Sequence, residues 1–481
     1  MIVFMIALFL FGYFCIAMEH PFKVNKAATA LLLASLLWTC YIIFAQSYLP
    51  GIEEFQSWLS GQKLSHLSIH EQVVNYVTNV QLIENLGDTA QIIFYLLGAM
   101  TVVELVDVHG GFTIITRHVT TKHKRKLLFT LAILTFFLSA ILDNMTTAIV
   151  MIMLVRKLVA RRDDRLIFAS VIIIAANSGG AWSPIGDVTT IMLWIKGNVT
   201  TSHLIPELIL PSLVSVIVPA VVLSFSLKGE LEDNVEKYRS DSDADNFTAA
   251  GIITKRERNI IFFLGVGALV FVPIFKSLTH LPPFMGILLG LGGLWVYTEL
   301  LYHRKSHVEE SQKARITKVL SRVDFSTLLF FLGILMAVSA LKCAGILGDF
   351  AQMLEDKIGN FYVIDMIIGV LSSVVDNVPL VAAAMGMYPL ATPADVLADP
   401  MLSHMVIDGQ FWIFLAYCAG VGGSILIIGS AAGVVVMGIE KMNFIWYLKK
   451  VSLVMLIGYV AGALFYILQA NIIFPLLGIG G

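Results

Sequence analysis

Charged residues are scarce in this 481-residue chain. Asp, Glu, Lys and Arg together make up 14% of it, against about 25% in ordinary soluble proteins. Hydrophobic residues make up 57%, and the mean hydropathy is +0.83. So few charges cannot cover the surface of a soluble protein, and the composition therefore predicts a polytopic protein of the lipid bilayer. The net charge of −2 gives no support to a nucleic-acid partner.

Cysteine is also rare, and its spacing carries no motif. Cys15, Cys40, Cys343 and Cys418 are scattered through apolar runs without a CxxC pair, so they predict neither a disulfide framework nor a zinc site. The sequence also lacks an HExxH motif and any evident pairing of a nucleophile with a base. We therefore expect a membrane transporter rather than an enzyme, and we expect it to need no cofactor.

Long apolar segments predict the transmembrane helices. A helix needs about 20 apolar residues to cross a bilayer, and ten segments of the sequence fit this length. Two further segments, 127–155 and 361–390, are interrupted by the polar pairs Asp143-Asn144 and Asp376-Asn377. The ten predicted spans are 2–18, 27–45, 90–106, 167–195, 205–227, 260–275, 282–302, 325–343, 411–438 and 445–470.

The positions of Lys and Arg predict the orientation, because cytoplasmic loops carry an excess of basic residues. With both termini outside and ten crossings, all the large basic clusters of the chain fall in the cytoplasm. This holds only if 127–155 does not cross, since basic clusters flank it on both sides. We therefore predict a re-entrant helical hairpin there, with a kinked crossing helix as the alternative, and a second hairpin at 361–390 that enters from outside.

The two halves of the chain contain similar sequences. LDNMTTAIVMI (142–152) aligns with VDNVPLVAAAM (375–385), and AANSGGAWSPIGDVTT (175–190) aligns without gaps with CAGVGGSILIIGSAAG (418–433). These matches predict an all-α fold built as an inverted repeat, with five transmembrane helices and one hairpin in each half. The predicted repeats are 1–227, with hairpin 127–155 and broken helix 167–195, and 259–481, with hairpin 361–390 and broken helix 411–438, joined by a cytoplasmic linker at 228–258.

Broken helices in an inverted repeat are typical of secondary transporters. The aligned glycine pairs, at 179–180 and 422–423, lie within the two helices that we predict to be broken. Irregular backbone is tolerated at membrane depth only where it lines a cavity or is buried in protein. Close helix packing is the alternative explanation for a single glycine pair, but two aligned pairs that face polar hairpins favour a functional break. A channel would more often have a continuous polar pore helix.

Three carboxylates are predicted to lie at membrane depth, where burying a charge is costly and calls for a role. Hydroxyl and amide oxygens surround them, and such hard ligands suit an alkali cation. Helix capping is the alternative role, and we expect Asn144 and Asn377 both to cap and to bind. Sodium is predicted at Asp143, Asp187 and Asp376. The full predicted site for cations and protons is Asp143, Asn144, Thr146, Asn177, Ser178, Asp187, Thr189, Thr190, Asp376, Asn377, Ser424 and Ser430.

Some ionisable residues lie outside this predicted site. Glu104 and Asp107 share one helical face near the cytoplasmic end of 90–106, and they are either an interfacial charge pair or a proton entry and pH-sensing pair. Lys342 is the one basic residue inside a predicted span, and it either extends to the interface or neutralises a carboxylate. The histidines of the predicted loops, His109 among them, are predicted to be solvated.

Four runs of sequence resemble those of the NhaD-type sodium/proton antiporters: FYLLGAMTVVELVDVHGGF, ILDNMTTAIVMI, ANSGGAWSPIGDVTTIMLW and SSVVDNVPLVAAAMGMYP. That family belongs to the ion transporter superfamily, together with arsenite permeases and divalent anion/sodium symporters. The resemblance extends from about residue 85 to the C-terminus, whereas 1–84 matches only by hydropathy. It implies a scaffold domain, a mobile transport domain and a homodimer in a bacterial-type inner (plasma) membrane. It also implies polar ligands at Asp143, Asn144, Asn177, Asp187, Thr189, Thr190, Asp376 and Asn377.

The hairpin tips depart from those of the symporter relatives, which read Ser-Asn-Thr. Here they read Asp143-Asn144-Met145 and Asp376-Asn377-Val378, and the added carboxylates attract cations and repel anions. We therefore expect exchange of cytoplasmic sodium or lithium for external protons by alternating access. A sodium-coupled dicarboxylate or arsenite carrier is the alternative. Because burial raises the pKa of a carboxylate and a nearby cation lowers it, sodium and a proton would expel each other.

Overall fold

The computed structural model describes residues 2–62, 67–116, 121, 123–231, 252–305 and 313–477. Apart from an isolated bridge between His123 and Glu230, the regular structure of these residues is helical. By length and composition, nine of the described helices could cross a membrane, or up to ten if one bent pair counts as a single span. The predicted all-α, multi-pass class is thereby confirmed.

The helices of the first part of the chain include a π-helical turn at Val77–Gln81, which joins α5 and α6 into one span, and a 3₁₀ turn at Leu49–Gly51. In chain order they are α1 (Ile2–Ala17), α2 (Glu19–Phe22), α3 (Lys26–Ala45), α4 (Glu53–Ser60), α5 (Ile69–Tyr76), α6 (Leu82–Val108), α7 (Thr113–Thr116), α8 (Lys124–Leu142), α9 (Asn144–Leu158), α10 (Arg162–Ala181), α11 (Val188–Ile195) and α12 (Thr201–Ser224).

The second part has a 3₁₀ turn at Pro400–Met405 and a π-helical turn at Gln469–Ile473. Its helices are α13 (Lys255–Thr279), α14 (Pro283–Arg304), α15 (Ile316–Leu320), α16 (Phe325–Cys343), α17 (Ile346–Ile358), α18 (Phe361–Leu371), α19 (Asn377–Met387), α20 (Pro393–Ala398), α21 (Gln410–Gly422), α22 (Ala431–Glu440), α23 (Phe444–Lys450), α24 (Ser452–Leu468) and α25 (Phe474–Leu477).

Several predicted boundaries differ from the structure, and three of the differences have a clear cause. The span predicted at 90–106 is part of one continuous helix, Ile69–Val108. The span predicted from 445 begins at Ser452, because Asn443 caps the separate helix α23, which is bent by 114° from α22. Of the predicted linker 228–258, residues 232–251 lie outside the described residues. The linker ends earlier than predicted, because Thr254 forms a capping box that starts α13 at Lys255.

One compact unit comprises Met1–Phe94, Asp324–Gly359 and Ala382–Pro389. At its centre α3 packs against α16, and α1 packs on α3. The indole N–H of Trp38 donates to the carbonyl of Met336 at 2.8 Å, and the Tyr48 hydroxyl donates to that of Cys343 at 2.6 Å. Lys342 is exposed in the last turn of α16. This unit holds none of the residues that we predict to bind cations.

The other unit comprises Tyr95–Val323, Asn360–Val381 and Leu390–Gly481. All residues of the predicted cation and proton site belong to it. In its interior α10 packs against α8, α9, α12 and α21, and α12 packs against α24. Nearly every residue of α10 from Phe168 to Ala181 is buried, so this helix forms the core of the unit.

The first predicted hairpin, α8 and α9, turns at Asp143. The Lys124 ammonium at the start of α8 lies 2.9 Å from the Asp164 carboxylate in the first turn of α10. Because α9 ends just before α10 begins, the start of α8 and the end of α9 lie at the same end of α10. The chain reverses at Asp143, which has a φ of 85°, a value that is uncommon for residues other than glycine.

The second predicted hairpin, α18 and α19, has comparable connections to α21. The Tyr362 hydroxyl near the start of α18 donates to Gln410 Oε1, on the first residue of α21, at 2.8 Å. Shortly after α19 ends, Ala391 N donates to the carbonyl of Met405, which lies shortly before α21. Both ends of this hairpin are thus tied to the chain at the start of α21.

The two broken helices are α10–α11, interrupted at 182–187, and α21–α22, interrupted at 423–430. Arg165 in the first turn of α10 pairs with Glu440, the last residue of α22, at 3.1 Å. At the other end, the Asp408 carboxylate before α21 accepts hydrogen bonds of 2.5 and 2.8 Å from the amide and hydroxyl of Thr200, after α11. The two broken helices therefore run in opposite directions.

Candidate functional site

Equivalent hydrogen bonds hold each hairpin against its broken helix. Ser139 Oγ donates to the carbonyl of Ala176 at 2.5 Å, and Ser372 Oγ donates to the carbonyl of Ala419 at 2.8 Å. In the alignment of the two halves, both serines lie four residues before a tip aspartate and both carbonyls lie three residues before a glycine pair. Residues that correspond in the two halves of the sequence thus form the same hydrogen bond in the structure.

The first glycine of each aligned pair allows close approach of two backbones. A Cβ atom on Gly179 would overlap the carbonyl of Phe136 in α8, and one on Gly422 would overlap the carbonyl of Gly369 in α18. At Gly179 and Gly422, the structure therefore shows close helix packing. The packing has a consequence for the site, because it brings each hairpin tip to the break of a helix.

Each second half-helix begins with a side-chain cap of similar geometry. Asp187 caps α11 with φ −144° and ψ 146°, and its Oδ1 accepts from the amide of Thr189 at 3.4 Å. Ser430 caps α22 with φ −144° and ψ 153°, and its Oγ accepts from the amide of Gly433 at 3.1 Å. Equivalent caps therefore present a carboxylate in one break and a hydroxyl in the other.

A buried network centred on Asn177 connects the two broken helices; we call it the Asn177 network. Asn144 Nδ2 donates to Asn177 Oδ1 at 3.2 Å. Asn177 Nδ2 in turn donates to Ser424 Oγ at 2.9 Å and to Ser430 Oγ at 2.8 Å. Because Asn177 has no solvent exposure, these bonds satisfy its amide inside the protein, as buried polar groups require.

The most deeply buried of the three predicted sodium ligands is Asp187, with 2% of its surface exposed. Its Oδ2 accepts a hydrogen bond of 3.2 Å from Asn377 Nδ2 at the second hairpin tip. The same oxygen would lie 3.4 Å from a Cβ atom on Gly420, so it packs against the backbone of α21. Asp187 also interacts electrostatically with Asp376. Residues from both halves thus surround this carboxylate.

The tip aspartates, rather than the asparagines, cap the half-helices. Asp143 Oδ1 accepts from the amide of Thr146 and Asp143 Oδ2 accepts from its hydroxyl, both at 2.8 Å. Asp376 Oδ1 accepts from the amide of Val378 at 3.3 Å. The expected capping role of Asn144 and Asn377 is therefore wrong: each is the first residue of a helix, and their amides donate to Asn177 in α10 and to Asp187 in the first break.

The remaining predicted ligands differ in where their side chains point. Thr190 Oγ1 donates to the carbonyl of Asp187 at 2.8 Å, and Thr189 is fully buried beside it. Ser178 Oγ pairs instead with Ser215 of α12 at 2.8 Å. The structure therefore brings Asn144, Asn177, Ser424 and Ser430 into one network and Asp187, Asn377 and Thr189 into an adjoining group, whereas Ser178 faces α12.

Some residues that support the helix breaks lie outside the twelve residues of the predicted site. Ser183 Oγ donates to the carbonyl of Ala140 at 2.5 Å, and Tyr447 OH donates to the carbonyl of Ser424 at 2.8 Å. Ser139 could have been found by extending the alignment of the hairpins to Ser372. No sequence pattern marks Tyr447, because it contacts the break through the tertiary fold alone.

Near the end of α6, the Glu104 carboxylate lies 2.9 Å from Arg322 Nε, and Asp107 is exposed. Glu104 therefore forms an ion pair with a basic residue from outside its own helix. His109 was predicted to be solvated, but it is buried. Its Nδ1 lies 2.6 Å from the carbonyl oxygen of Leu105, and its Nε2 lies 2.9 Å from Tyr302 OH. The prediction failed because α14 supplies a partner that is distant in sequence.

Comparison with known proteins gives matches along nearly the whole chain. A family model described as a citrate transporter matches residues 13–407. Sodium/proton antiporter 1 of Arabidopsis thaliana is 42% identical over 472 residues, which cover 98% of this chain and 73% of that protein. Sodium/proton antiporter 2 of the same plant is 41% identical over 98% of this chain and 100% of that protein. The Na(+)/H(+) antiporter NhaD of Alkalimonas amylolytica is 31% identical over 94% of each chain.

These matches confirm the resemblance and correct its extent. The region 1–84 was expected to match by hydropathy alone, yet alignments that cover 98% of the chain include most of it. The family model alone spans well over half of the sequence. The chain therefore belongs to the citrate-transporter family and, within the ion transporter superfamily, to the NhaD-type antiporters.

Proposed function

We propose that this protein exchanges sodium for protons across a membrane by alternating access. The observation that carries the proposal is the buried Asp187 carboxylate, placed at a helix break beside the Asn177 network and held by Asn377 of a hairpin tip. Relatives that match almost the whole chain are named sodium/proton antiporters. The chemistry needs no covalent step, because a carboxylate can hold either a proton or a sodium ion.

The charge of the site supports a cation as cargo. Asp143, Asp187 and Asp376 belong to the two hairpin tips and one break, and the neighbouring Ser424 and Ser430 supply neutral hydroxyl oxygens. Carboxylate and hydroxyl oxygens are the hard ligands that alkali cations favour. A citrate or dicarboxylate ion would be repelled by the same carboxylates. We therefore place the anion-carrier alternative second.

In the proposed mechanism, sodium and a proton share the Asp187 carboxylate, and Asp143 and Asp376 add negative charge beside it. The ionised carboxylate attracts sodium, and protonation removes that attraction. Asn377 donates to Asp187 Oδ2 from the second hairpin, so the occupancy of the carboxylate would act on the position of that hairpin. The ends of α10 and α21 direct backbone carbonyls at the breaks, where they favour a cation.

We further propose that the unit holding the site is an inverted repeat with two re-entrant hairpins, and that both termini lie outside a bacterial-type plasma membrane. The opposite directions of the two broken helices support this arrangement, as does the ion pair between Lys124 and Asp164. In a variant without native cysteines, Lys126→Cys and Ala160→Cys should both be labelled from the cytoplasm. Leu397→Cys, which is exposed, should be labelled from outside. Labelling of 126 and 160 from opposite sides would refute the hairpin.

Three further proposals concern substrates, regulation and assembly. Lithium should replace sodium, since the two ions share charge and ligand preference. Glu104 and Asp107 would form a cytoplasmic proton entry or pH-sensing pair.

The protein would form a homodimer in the bilayer, as the family resemblance implies. Native mass spectrometry from mild detergent tests the dimer, and a monomer at every lipid concentration would refute it.

Purified protein in liposomes tests the function directly. An internal pH dye should report proton movement when sodium or lithium is added outside, and little movement with potassium. Citrate or succinate added as a tetramethylammonium salt is the control for the anion carrier. A response to citrate that requires sodium, without a response to sodium chloride, would favour the sodium-coupled anion carrier and overturn the proposal.

A further inference from the structure

A fourth carboxylate, Asp365 of α18, is buried away from the predicted site. It has no solvent exposure, and neither of its oxygens has a hydrogen-bond partner among the described residues. A buried polar group without a hydrogen-bond partner is destabilising, and a charged group is more so. A residue with that cost and no structural contact to offset it calls for another explanation.

The described titratable groups that interact with Asp365 do not neutralise a negative charge. The titratable side chains that interact with it are Tyr362 of α18, Cys418 of α21, and Tyr459 and Tyr466 of α24. None of these four is basic. Because an isolated buried carboxylate ion is far costlier than the neutral acid, this conformation favours the protonated form of Asp365.

Asp365 lies on a stripe of residues that follows one face of the hairpin. The stripe consists of positions spaced by three or four residues: 362, 365, 369, 372 and 376. This spacing places the three positions within α18, namely 362, 365 and 369, on one side of the helix. At the start of the stripe, Tyr362 bonds to Gln410 and to the exposed Asn471. At its end lies the tip aspartate Asp376. The helix continues for about 9 Å beyond Asp365, at 1.5 Å per residue, before it ends at Leu371, and Asp376 follows five residues later.

The polar residues at the start of the stripe form an entry cluster: Glu207, Tyr362, Gln410, Tyr466 and Asn471. Tyr466 OH donates to the carbonyl of Gln410 at 3.5 Å, and Glu207 lies beside Tyr466. Asn471 is exposed near the C-terminal end of the candidate span Ser452–Leu476, so the cluster extends from the protein surface towards Asp365. Asp365 lies one helical turn further inward than Tyr362.

We propose that Asp365 is a proton-relay residue on the path between the entry cluster and the hairpin tip. The neutral acid releases its proton towards Asp376, and the carboxylate that remains takes up a proton from the entry side, so each cycle restores the neutral acid. Nothing but a proton is transferred. The inference rests on the proposed sodium/proton exchange, which supplies the proton flow, and with the predicted orientation the relay serves external protons.

Two transport assays on the protein in liposomes separate the relay from a structural role. One measures proton movement driven by a sodium gradient. The other measures exchange of radioactive for unlabelled sodium at equal pH on both sides, which needs no net proton movement. Asp365→Asn should slow the first at least tenfold and change the second less than twofold. Asp356→Asn, an exposed aspartate of α17, should leave both rates unchanged.

Equal losses in both assays for Asp365→Asn, or a loss in neither, would overturn the relay. If that variant does not fold, Asp365→Glu decides, because it keeps a titratable carboxyl group and should retain at least half of the sodium exchange. Its proton flux should show an altered pH profile, and an unaltered profile would refute the proposal. Wild-type protein without sodium-driven proton flux would instead refute the proposed function.

Discussion

The two hairpins and broken helices repeat the same contacts but not the same chemistry. Ser139 and Ser372 make equivalent hydrogen bonds, and Asp187 and Ser430 make equivalent caps. Yet Asn177 and Asp187 of the first broken helix correspond to Gly420 and Ser430 of the second. Equivalent contacts therefore surround two different breaks: the first break carries the Asp187 carboxylate, and the second carries the Ser430 hydroxyl.

The same comparison applies within the hairpins. Asp365 of α18 corresponds in the alignment to Ala132 of α8, which is buried. One hairpin thus carries a carboxylate along its length, whereas the other carries only its tip aspartate and an apolar face at this position. Because only the second hairpin carries a buried carboxylate within its first helix, a proton relay through Asp365 would serve protons that approach from one side of the site.

The strongest test of this asymmetry compares Asp187 with Ser430. Asp187→Asn should reduce sodium-driven proton flux at least about a hundredfold, equivalent to about 2.7 kcal/mol, because it removes the buried charge. Ser430→Ala should cost less than tenfold, since Ser424 still accepts from Asn177. The liposome assay with an internal pH dye measures both. Equal losses in the two variants would mean that the breaks contribute alike.

The tip aspartates should have the next largest effect. Asp143→Asn and Asp376→Asn should each reduce exchange more than tenfold, because each removes a charge beside Asp187. An asparagine keeps one carbonyl oxygen for the helix cap, so both variants should remain folded by thermal unfolding in detergent. Near-normal exchange in both would leave the tips with a capping role alone.

A smaller loss is expected from the Asn177 network. Asn177→Ala removes three hydrogen bonds that join Asn144, Ser424 and Ser430, so sodium should bind about tenfold more weakly. That corresponds to about 1.4 kcal/mol. Ser178→Ala is the matched control, because Ser178 bonds to Ser215 instead. Calorimetric titrations measure the sodium affinity of both variants. An equally weakened sodium affinity in Ser178→Ala would argue against a specific role of the Asn177 network.

The smallest effect should come from the pair at the end of α6. Glu104 is partly exposed and pairs with Arg322, and ion pairs of this kind contribute little to stability. Glu104→Gln should change the maximal exchange rate less than threefold while shifting its pH midpoint by less than one unit. A loss as large as that of Asp187→Asn would make Glu104 essential for exchange and would contradict a role limited to setting the pH midpoint.

The sequence predicted the helical class and the interruptions of both broken helices, because long apolar runs, glycine pairs and mid-segment polar residues are local signals. The twelve-residue cation and proton site stays a prediction. The sequence did not predict which residues these side chains contact. Ser178 differs from Asn177 by one position, and a helix turns by about 100° per residue, so their side chains face different neighbours. The caps were also assigned to the wrong residue of each tip, since a shift of one position decides which side chain precedes the helix.

Other features depend on contacts between distant segments. Glu440 pairs with Arg165, and His109 bonds to Tyr302; neither pair has a short-range sequence signature. The 114° bend between α22 and α23 follows from the Asn443 cap, but the surrounding apolar run conceals it. Asp365 was visible in the sequence, although its burial was not.

Direct sodium binding as a function of pH tests the shared carboxylate most directly. Calorimetric titration of the detergent-solubilised protein from pH 6 to 9 should show sodium affinity rising with pH and levelling off above the apparent pKa of the site. Below that pKa, affinity should fall about tenfold for each pH unit, or about 1.4 kcal/mol, because one proton must leave when sodium arrives. A sodium affinity that is constant over this range would mean separate sites for the two ions and would contradict the exchange mechanism.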